Sequence, residues 1–305
     1  MIVDTHTSIW QSPEQLGAEA PARLAQLTRF GAEYVRLLPK ADTAAHLLAA
    51  EPVDCCFILG FRSRLLGAEI PNRFIADYCA EHADRMIGFA GVDPTDDAVA
   101  AHLELIAREP HLKGLVICPA AQNFHPCDTR AMRVYEQAVS HKWPIIFFSG
   151  PYAAADARRE YARPWLWDEV ARAFPGLKIV LGHLGYPWVD ETLLLIQKHA
   201  HCFAGLAGLL RRPWIAYDAL VRAYQMDVLD KLLFGSDFPF AVAADAIETL
   251  YRVNQFARGT NLPVIPREQL RQVVERDALA LLNIPAPPGR ILAALPKTRR
   301  VGLSV

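Results

Sequence analysis

Eight short apolar segments recur along the chain, each ending at a turn-forming or polar residue and followed by a segment with helical character. They are Ile2–Asp4, Val53–Leu59, Met86–Val92, Leu115–Cys118, Pro144–Phe148, Lys178–Leu181, Cys202–Leu206 and Lys231–Phe234. Continuous apolar strands that alternate with helices are typical of a parallel sheet whose two faces are both covered. The pattern therefore predicts an α/β fold built on a parallel sheet.

The segments between these strands have apolar residues three or four positions apart, as in Ala131–His141, Arg163–Phe174 and Trp188–Ala200. Eight strand–helix units fit a (β/α)₈ TIM barrel, which typically needs about 250 residues. The competing doubly wound sheet would carry a glycine-rich phosphate loop after its first strand. The segment DTHTSIWQSP contains no glycine, so the TIM barrel is the preferred fold.

The last helical pattern covers Arg267–Leu282 and is followed by a stretch rich in proline and basic residues. We therefore predict one barrel domain over residues 1–284 and a C-terminal extension over residues 285–305. The extension is expected to pack on the barrel or on a second subunit, as in a homodimer, with disorder as an equal alternative.

The balance of charges restricts the partners. The chain has 32 basic and 33 acidic residues, which gives no surface of one sign that would attract nucleic acid or an anionic membrane. Its six cysteines form no CxxC pair, and the start MIVDTH resembles no signal peptide. These features predict a cytoplasmic protein with reduced thiols that acts on a small molecule.

Three polar residues stand at or near the ends of predicted strands, where TIM barrels carry their active sites. His6 follows the first strand, His183 follows the sixth, and Asp237 follows the eighth. Each one alone could be an ordinary structural histidine or a helix-capping aspartate. Because all three would meet at one mouth of the barrel, we expect a functional cluster.

Five segments carry a family resemblance: IVDTH, IPNRFIADYCAEHADRMIGFAGVDP, QNFHPCDTRAMRVYEQA, YARPWLWDEVARAFPGLKIVLGHLGYPWVDE and LLFGSDFPF. Together they resemble the amidohydrolase-related group of the metal-dependent hydrolase superfamily. This group includes aminocarboxymuconate-semialdehyde decarboxylase, resorcylate-type decarboxylases and the lactonase that acts on pyrone dicarboxylate. The resemblance extends from Ile2 to about Ile284 and implies a barrel hydrolase or decarboxylase.

The chain departs from the ligand pattern of this family at three positions. Ser8 stands where the second histidine of His-x-His is expected, and Phe148 stands where a histidine normally follows the fifth strand. Val116 matches the lysine that some superfamily members carboxylate, which excludes that binuclear site. The resemblance leaves His6 and Asp237 as matching ligands, with His183 as a catalytic histidine that could serve as a third.

Substrates of this family are often carboxylates, which the planar guanidinium of arginine binds well. Arg62 after the second strand and Arg163 after the fifth are the candidate binding residues. Arg211 and Arg212, after the seventh strand, are interpreted as ordinary surface or helix-cap arginines.

The remaining candidate substrate contacts lie beside the predicted ligands. Trp10 and Tyr186 could form walls of a pocket for a ring-shaped substrate, and Phe148 and Ser8 replace ligands of the family pattern.

Catalytic zinc normally has three protein ligands and a water, so the depleted set favours a site without a cofactor over one with a single Zn²⁺. Without metal, a side-chain base must act on an activated electrophile. The first hypothesis is therefore a hydrolase of a small carboxylated or aromatic ester or lactone. Asp237 would be its base, and His183 or His6 would stabilise the oxyanion.

Two alternatives stay open. One is a nonoxidative decarboxylase of a small aromatic acid that uses a single divalent metal. The other is a catalytically silent barrel that binds a ligand or a partner protein, because the fold itself hosts many functions.

Overall fold

A computed structural model describes residues 1–20, 41–148 and 156–288. Its eight barrel strands are β1 (Val3–Thr7), β2 (Cys55–Leu59), β5 (Met86–Gly91), β6 (Leu112–Ile117), β7 (Ile145–Phe147), β8 (Ile179–Leu181), β9 (Cys202–Gly205) and β10 (Leu232–Leu233). They form one sheet in this order, and neighbours pair in parallel. The predicted (β/α)₈ TIM barrel is confirmed. A small antiparallel hairpin, β3 (Arg62–Ser63) and β4 (Ala68–Glu69), was not predicted.

The barrel closes between β1 and the chain that follows β10. Thr5 N donates to Phe234 O at 3.0 Å, and Asp237 N donates to His6 O at 3.0 Å. β1 therefore extends to Thr7, three residues beyond its predicted end, and His6 lies inside the strand. The seam that completes the barrel is formed by the segments that carry His6 and Asp237.

Helices connect successive strands. Their bounds are Thr43–Ala49, Asn72–Glu81, Val99–Arg108, Pro119–Gln122, Thr129–Ser140, Trp167–Ala173, Val189–Lys198, Pro213–Gln225, Ala243–Arg252, Arg267–Val274 and Ala278–Leu281. Short 3₁₀ helices cover Pro13–Leu16, Arg159–Ala162, Pro164–Leu166, Gly182–Gly185, Leu229–Lys231 and Val253–Ala257. No helix in the described part of the chain is long and apolar enough to cross a lipid bilayer.

Two predicted helices are shorter than expected. The helix predicted from Arg163 begins at Trp167, because Pro164 disfavours helical backbone at Arg163 and residues Pro164–Leu166 form a 3₁₀ helix. The helix predicted over 267–282 is interrupted after Val274, and Asp277 caps a new one by accepting from Ala280 N.

The interior of the barrel is apolar. It is filled by one buried side-chain cluster drawn from all eight strands, which includes Val3, Phe57, Phe89, Val116, Ile146, Val180, Phe203 and Leu233. Leu279, Leu282 and Ile284 belong to the same cluster, and Met1 packs against it. They pack at the end at which the strands begin, and the predicted functional residues lie at the opposite mouth. Most of the predicted C-terminal extension, residues 289–305, lies outside the described residues.

A buried histidine ties the helix Thr43–Ala49 to the barrel. His46 Nε2 lies 3.0 Å from Thr7 Oγ1, and its Nδ1 lies 2.8 Å from the Tyr78 hydroxyl. Thr7 donates its own hydroxyl proton to Phe57 O at 2.7 Å, so it accepts from Nε2 and Tyr78 donates to Nδ1. Burial lowers the pKa of His46 to about 3. The imidazole is therefore neutral in the folded protein at pH 7.

We expect this histidine to make stability depend on pH. In the unfolded chain His46 titrates near 6.5, whereas in the folded chain it titrates near 3. The free energy of unfolding should therefore fall as pH falls through this window, because only the unfolded state takes up the proton. Denaturant titrations between pH 7.5 and 4 should give a smaller pH slope, by about one proton, for His46→Gln than for the wild type. Equal slopes would show that His46 is not held neutral.

Candidate active site

His6 and Asp237 are neighbours across the closing seam of the barrel, and both are buried, at 2% exposure each. Asp4 braces the two segments, because its Oδ1 accepts from His6 N at 3.2 Å and from Ser236 N at 2.9 Å. Burial raises the pKa of Asp4 to about 6, although the hydrogen bonds from Ser236 and His6 lower it. One carboxylate thus fixes the backbone of both functional segments.

His183 follows β8 in a left-handed turn. His183 and Leu184 have φ values of 54° and 49°, and Asp237 has a φ of 73°. Non-glycine residues rarely adopt this conformation, and those that do cluster at functional sites. Two of the three predicted residues are therefore held in backbone conformations that only the surrounding fold can impose.

The three side chains meet. His183 Nε2 lies 3.4 Å from Asp237 Oδ1, and His6 Nε2 lies 3.9 Å from the same oxygen. The ligand atoms of all three residues lie within 4.8 Å of one another. His6 Nε2, His183 Nδ1 and Asp237 Oδ2 are buried and have no hydrogen-bond partner. The structure thus brings His6, His183 and Asp237 together as expected, and their catalytic role stays a prediction.

The environment sets the charge of the cluster. Burial lowers the pKa of His6 to about 3, and His183 adds to this effect, so His6 is neutral at pH 7. Burial pushes the pKa of Asp237 upward, but the hydrogen bond and charge of His183, with Arg211 and His6, outweigh it. Asp237 is therefore a carboxylate. A neutral imidazole and a carboxylate are suited to bind a cation or accept a proton.

The donor set fits one divalent metal ion. Two donors bound at 2.1 Å to a tetrahedral ion are separated by about 3.4 Å, and the His183–Asp237 and His6–Asp237 distances are 3.4 and 3.9 Å. Two imidazoles and one carboxylate are ligands that zinc and manganese accept. Val116 is buried in the apolar barrel interior and offers no bridging ligand for a second ion.

Phe148 forms a wall of this cluster. It directly follows β7, where its N donates to Ile117 O at 2.9 Å. Its ring stacks on His6 with the centroids 5.1 Å apart, and meets His183 edge-on at 4.9 Å. An apolar ring therefore occupies the side on which the family pattern has a further histidine.

An apolar cavity begins at Phe148. Its lining includes Ser8, Trp10, Phe61, Ile70, Phe148 and Phe240. Three of the four remaining predicted pocket residues, Ser8, Trp10 and Phe148, thus face one space, and Tyr186 lines a separate cleft beside His183. Their contact with a substrate stays a prediction.

The two arginines singled out from the sequence do not reach the cluster. Arg62 forms ion pairs with Asp96 and Glu69, and Arg163 pairs with Glu191. Neither lines the cavity or the cleft beside His183 among the described residues. Acidic neighbours hold both guanidinium groups in place, so the structure gives no support to their assignment as carboxylate-binding residues.

Arg211, interpreted from the sequence as an ordinary surface or helix-cap arginine, lies next to the cluster. Its Nη2 lies 3.5 Å from Asp237 Oδ2, and its guanidinium lies 5.5 Å above the ring of Phe240. Arg211 follows β9 closely, so its position after a strand end was the signal that could have identified it.

Because Gly208 has no side chain, His183 and Asp237 have room to approach each other beside it. Its φ is 75°, and a Cβ at this position would lie 2.6 Å from His183 Cδ2 and 3.3 Å from Asp237 Oδ2. Any side chain here would be strained and would displace the imidazole.

We expect Gly208→Ala to lower turnover by about 100-fold, because a shift of about 1 Å in a catalytic group can cost this much. Gly205→Ala is the matched control, since a Cβ at Gly205 meets nothing within 4 Å. Steady-state kinetics should show near wild-type turnover for the control. Full activity of Gly208→Ala would contradict a requirement for the observed position of His183.

This chain matches a known protein family and is similar in fold to solved structures. A family model described as Amidohydrolase matches residues 3–284. An uncharacterized TIM-barrel protein from Bordetella bronchiseptica is 18% identical with a TM-score of 0.72, covering 92% of this chain and 98% of its own. No curated protein matches the chain.

Two further solved structures have TM-scores of 0.63. A probable 2-pyrone-4,6-dicarboxylic acid hydrolase from Acinetobacter baumannii is 15% identical and covers 93% of this chain and 99% of its own. A dihydroxybenzoic acid decarboxylase from Polaromonas sp. JS666, with bound manganese and 2-nitroresorcinol, is 16% identical and covers 92% of this chain and 96% of its own. At these identities the similarity shows the shared barrel fold.

Proposed function

Because the chain belongs to the amidohydrolase family, we propose that it is a nonoxidative decarboxylase of a small aromatic carboxylic acid. His6, His183 and Asp237 would hold one divalent metal ion for this reaction. The observation that carries the proposal is the aromatic-lined cavity whose wall, Phe148, contacts two of the three donors, His6 and His183. The ester or lactone hydrolase preferred from the sequence becomes the second candidate.

The lining of the cavity supports this reaction. Trp10, Phe61, Phe148 and Phe240 offer flat apolar surfaces on which a substrate ring can pack. A carboxylate is poorly solvated in such a space, and its loss as CO₂ removes the charge. The cavity therefore favours the neutral product over the anionic substrate.

The reaction needs one proton at the ring carbon. The bond from this carbon to the carboxylate breaks, CO₂ leaves, and the electron pair stays on the ring carbon, which takes up the proton. We assign that proton to Oδ2 of Asp237, which is buried and has no hydrogen-bond partner. Asp237 is a carboxylate in the resting protein, so Oδ2 first takes this proton from solvent and then passes it to the ring carbon, which restores the carboxylate.

The metal ion would supply positive charge that orients the substrate oxygens and stabilises negative charge on the ring. His6, His183 and Asp237 are the residues that would hold it. Manganese in the dihydroxybenzoic acid decarboxylase of similar fold supports this assignment.

A substrate panel tests the proposal. Protein loaded with Mn²⁺ or Zn²⁺ is incubated with 2-hydroxybenzoate, the dihydroxybenzoates and 5-carboxyvanillate, and separately with phenyl acetate, dihydrocoumarin and pyrone dicarboxylate. NMR should show CO₂ release and a proton at the former carboxyl carbon for at least one acid. Hydrolysis of an ester or lactone with no CO₂ from any acid would reject the decarboxylase, and binding without any turnover would favour the silent barrel.

One observation favours the hydrolase as second candidate. Asp237 is ionised and lies beside neutral His6, which is the charge state of a base that activates water. The similar fold of the probable pyrone dicarboxylic acid hydrolase agrees with it. The same panel separates the two candidates by the bond that breaks.

A further inference from the structure

The seam between β1 and the chain after β10 is irregular where the site residues lie. Thr5 N donates to Phe234 O at 3.0 Å, and in a regular parallel pair the next bond would run from Ser236 N to Thr5 O. Ser236 N donates instead to Asp4 Oδ1 at 2.9 Å. A side-chain carboxylate therefore takes the place of a backbone carbonyl at this point of the barrel.

Asp4 holds both sides of this seam. The same Oδ1 accepts from His6 N at 3.2 Å, and the Ser236 side chain also forms a hydrogen bond with the Asp4 carboxylate. Asp4 is only 1% exposed, so solvent supplies no substitute acceptor for these groups. Asp4 therefore fastens the residue before Asp237 to the backbone of His6.

The backbone of Asp237 depends on this arrangement. Its N donates to His6 O at 3.0 Å, and its φ of 73° is left-handed. A non-glycine residue keeps such a conformation only where the surrounding structure imposes it. The bonds from Ser236 to Asp4 fix the chain directly before Asp237, so they hold its carboxylate where Oδ1 lies 3.9 Å from His6 Nε2.

Gly235 lets the two segments come this close. A Cβ at Gly235 would lie 2.9 Å from His6 Cβ and 3.2 Å from Ala207 Cβ. The main chain after β10 therefore passes directly against His6, with no side chain between them. A displacement of Asp4 would act on both His6 and Asp237 over this short distance.

We infer that Asp4 is a positioning residue of the metal-holding cluster, which sets the separation of His6 and Asp237 and thereby the affinity for the ion. The inference rests on the proposed function, in which these residues hold a divalent metal. Asp4 lines neither the aromatic cavity nor the cleft beside His183 as far as the chain is described, and it is not one of the three donors. It acts through the residues that it holds.

Titration calorimetry of the full-length protein with Mn²⁺ measures this role. Asp4→Ala should weaken Mn²⁺ binding by about 10- to 100-fold, the usual effect of removing a partner behind a metal ligand. Asp4→Asn should stay within about 3-fold of the wild type, because the amide oxygen can accept from the same two N–H groups.

Asp93→Ala is the matched control for the loss of a buried, bracing carboxylate. Asp93 is also 1% exposed, and it accepts from the backbone N of Arg64 and of Thr95 at 2.8 and 2.9 Å. Neither partner belongs to the segments that carry the three donors. The control should lose thermal stability but keep the wild-type Mn²⁺ affinity.

Crystals of the metal-free variants give a second readout that needs no ion. The separation of His6 Nε2 and Asp237 Oδ1, 3.9 Å in the wild type, should stay within about 0.5 Å in Asp4→Asn and change by more in Asp4→Ala. If Asp4→Ala does not fold, Ser236→Ala replaces it. That variant removes only the side-chain bond to Asp4 and should weaken Mn²⁺ binding by about 5-fold.

Wild-type affinity or an unchanged separation in Asp4→Ala would overturn the inference, as would wild-type affinity in Ser236→Ala where it is used. Equal weakening in Asp93→Ala would overturn it too. If the wild type binds no ion, the metal-dependent decarboxylase is rejected, and the separation alone decides the role of Asp4. Weaker Mn²⁺ binding in Asp4→Ala without CO₂ release from any acid would reject only the decarboxylase.

Discussion

Asp237→Asn is expected to lower the turnover of the metal-loaded protein by roughly 1,000-fold. The amide has nearly the shape of the carboxylate, so the backbone bond from residue 237 to His6 O is retained. It carries no negative charge for a cation and cannot hold the transferable proton at Oδ2. The rate of CO₂ release from the best acid of the panel measures the effect.

Asp245→Asn is the control for this variant, because Asp245 is an exposed aspartate on the next helix. It should retain wild-type turnover, and circular dichroism should show both variants folded. Retention of more than about a tenth of the wild-type rate by Asp237→Asn would contradict the assigned role of Asp237 as proton donor.

His6→Ala is expected to weaken Mn²⁺ binding by at least about 100-fold and to remove turnover with it. His6 supplies one of only three donors, and even outer partners of metal ligands are worth 10- to 100-fold in affinity. Its Nε2 is buried without a hydrogen-bond partner, so this nitrogen is available to an ion. Titration calorimetry with Mn²⁺ gives the number of ions per chain and their affinity.

His141→Ala serves as the matched control for this loss of an imidazole. His141 is exposed and stacks on Trp143, away from the barrel mouth. It should leave the number of ions per chain and their affinity unchanged. Equal Mn²⁺ affinity in His6→Ala and His141→Ala would remove His6 from the metal site.

The barrel could be read from the sequence because its parallel strands are buried on both faces and appear as continuous apolar runs. The end of β1 could not be predicted in this way, because its residues are polar. Thr5 and Thr7 extend the strand by donating their hydroxyls to Phe234 O and Phe57 O. These partners come from distant strands, and no local pattern reveals them.

The candidate site was predictable where it followed from strand ends, which identified His6, His183 and Asp237. Arg211 was missed because the chain reverses at Gly208 in a left-handed turn, which brings the guanidinium back to Asp237. This path depends on tertiary packing.

The sequence also could not show where the guanidinium groups of Arg62 and Arg163 lie. Their partners Asp96 and Glu191 lie 34 and 28 residues away in the chain. Ion pairs over such separations become visible only after folding, so the sequence could not show that these two guanidinium groups are already occupied.

The most direct test of the account is X-ray diffraction at the manganese absorption edge from crystals grown with saturating Mn²⁺. We expect one anomalous peak per chain, at about 2.0–2.3 Å from nitrogen atoms of His6 and His183 and from the Asp237 carboxylate. Crystals of active protein that show no peak at these three residues, with either Mn²⁺ or Zn²⁺, would contradict it.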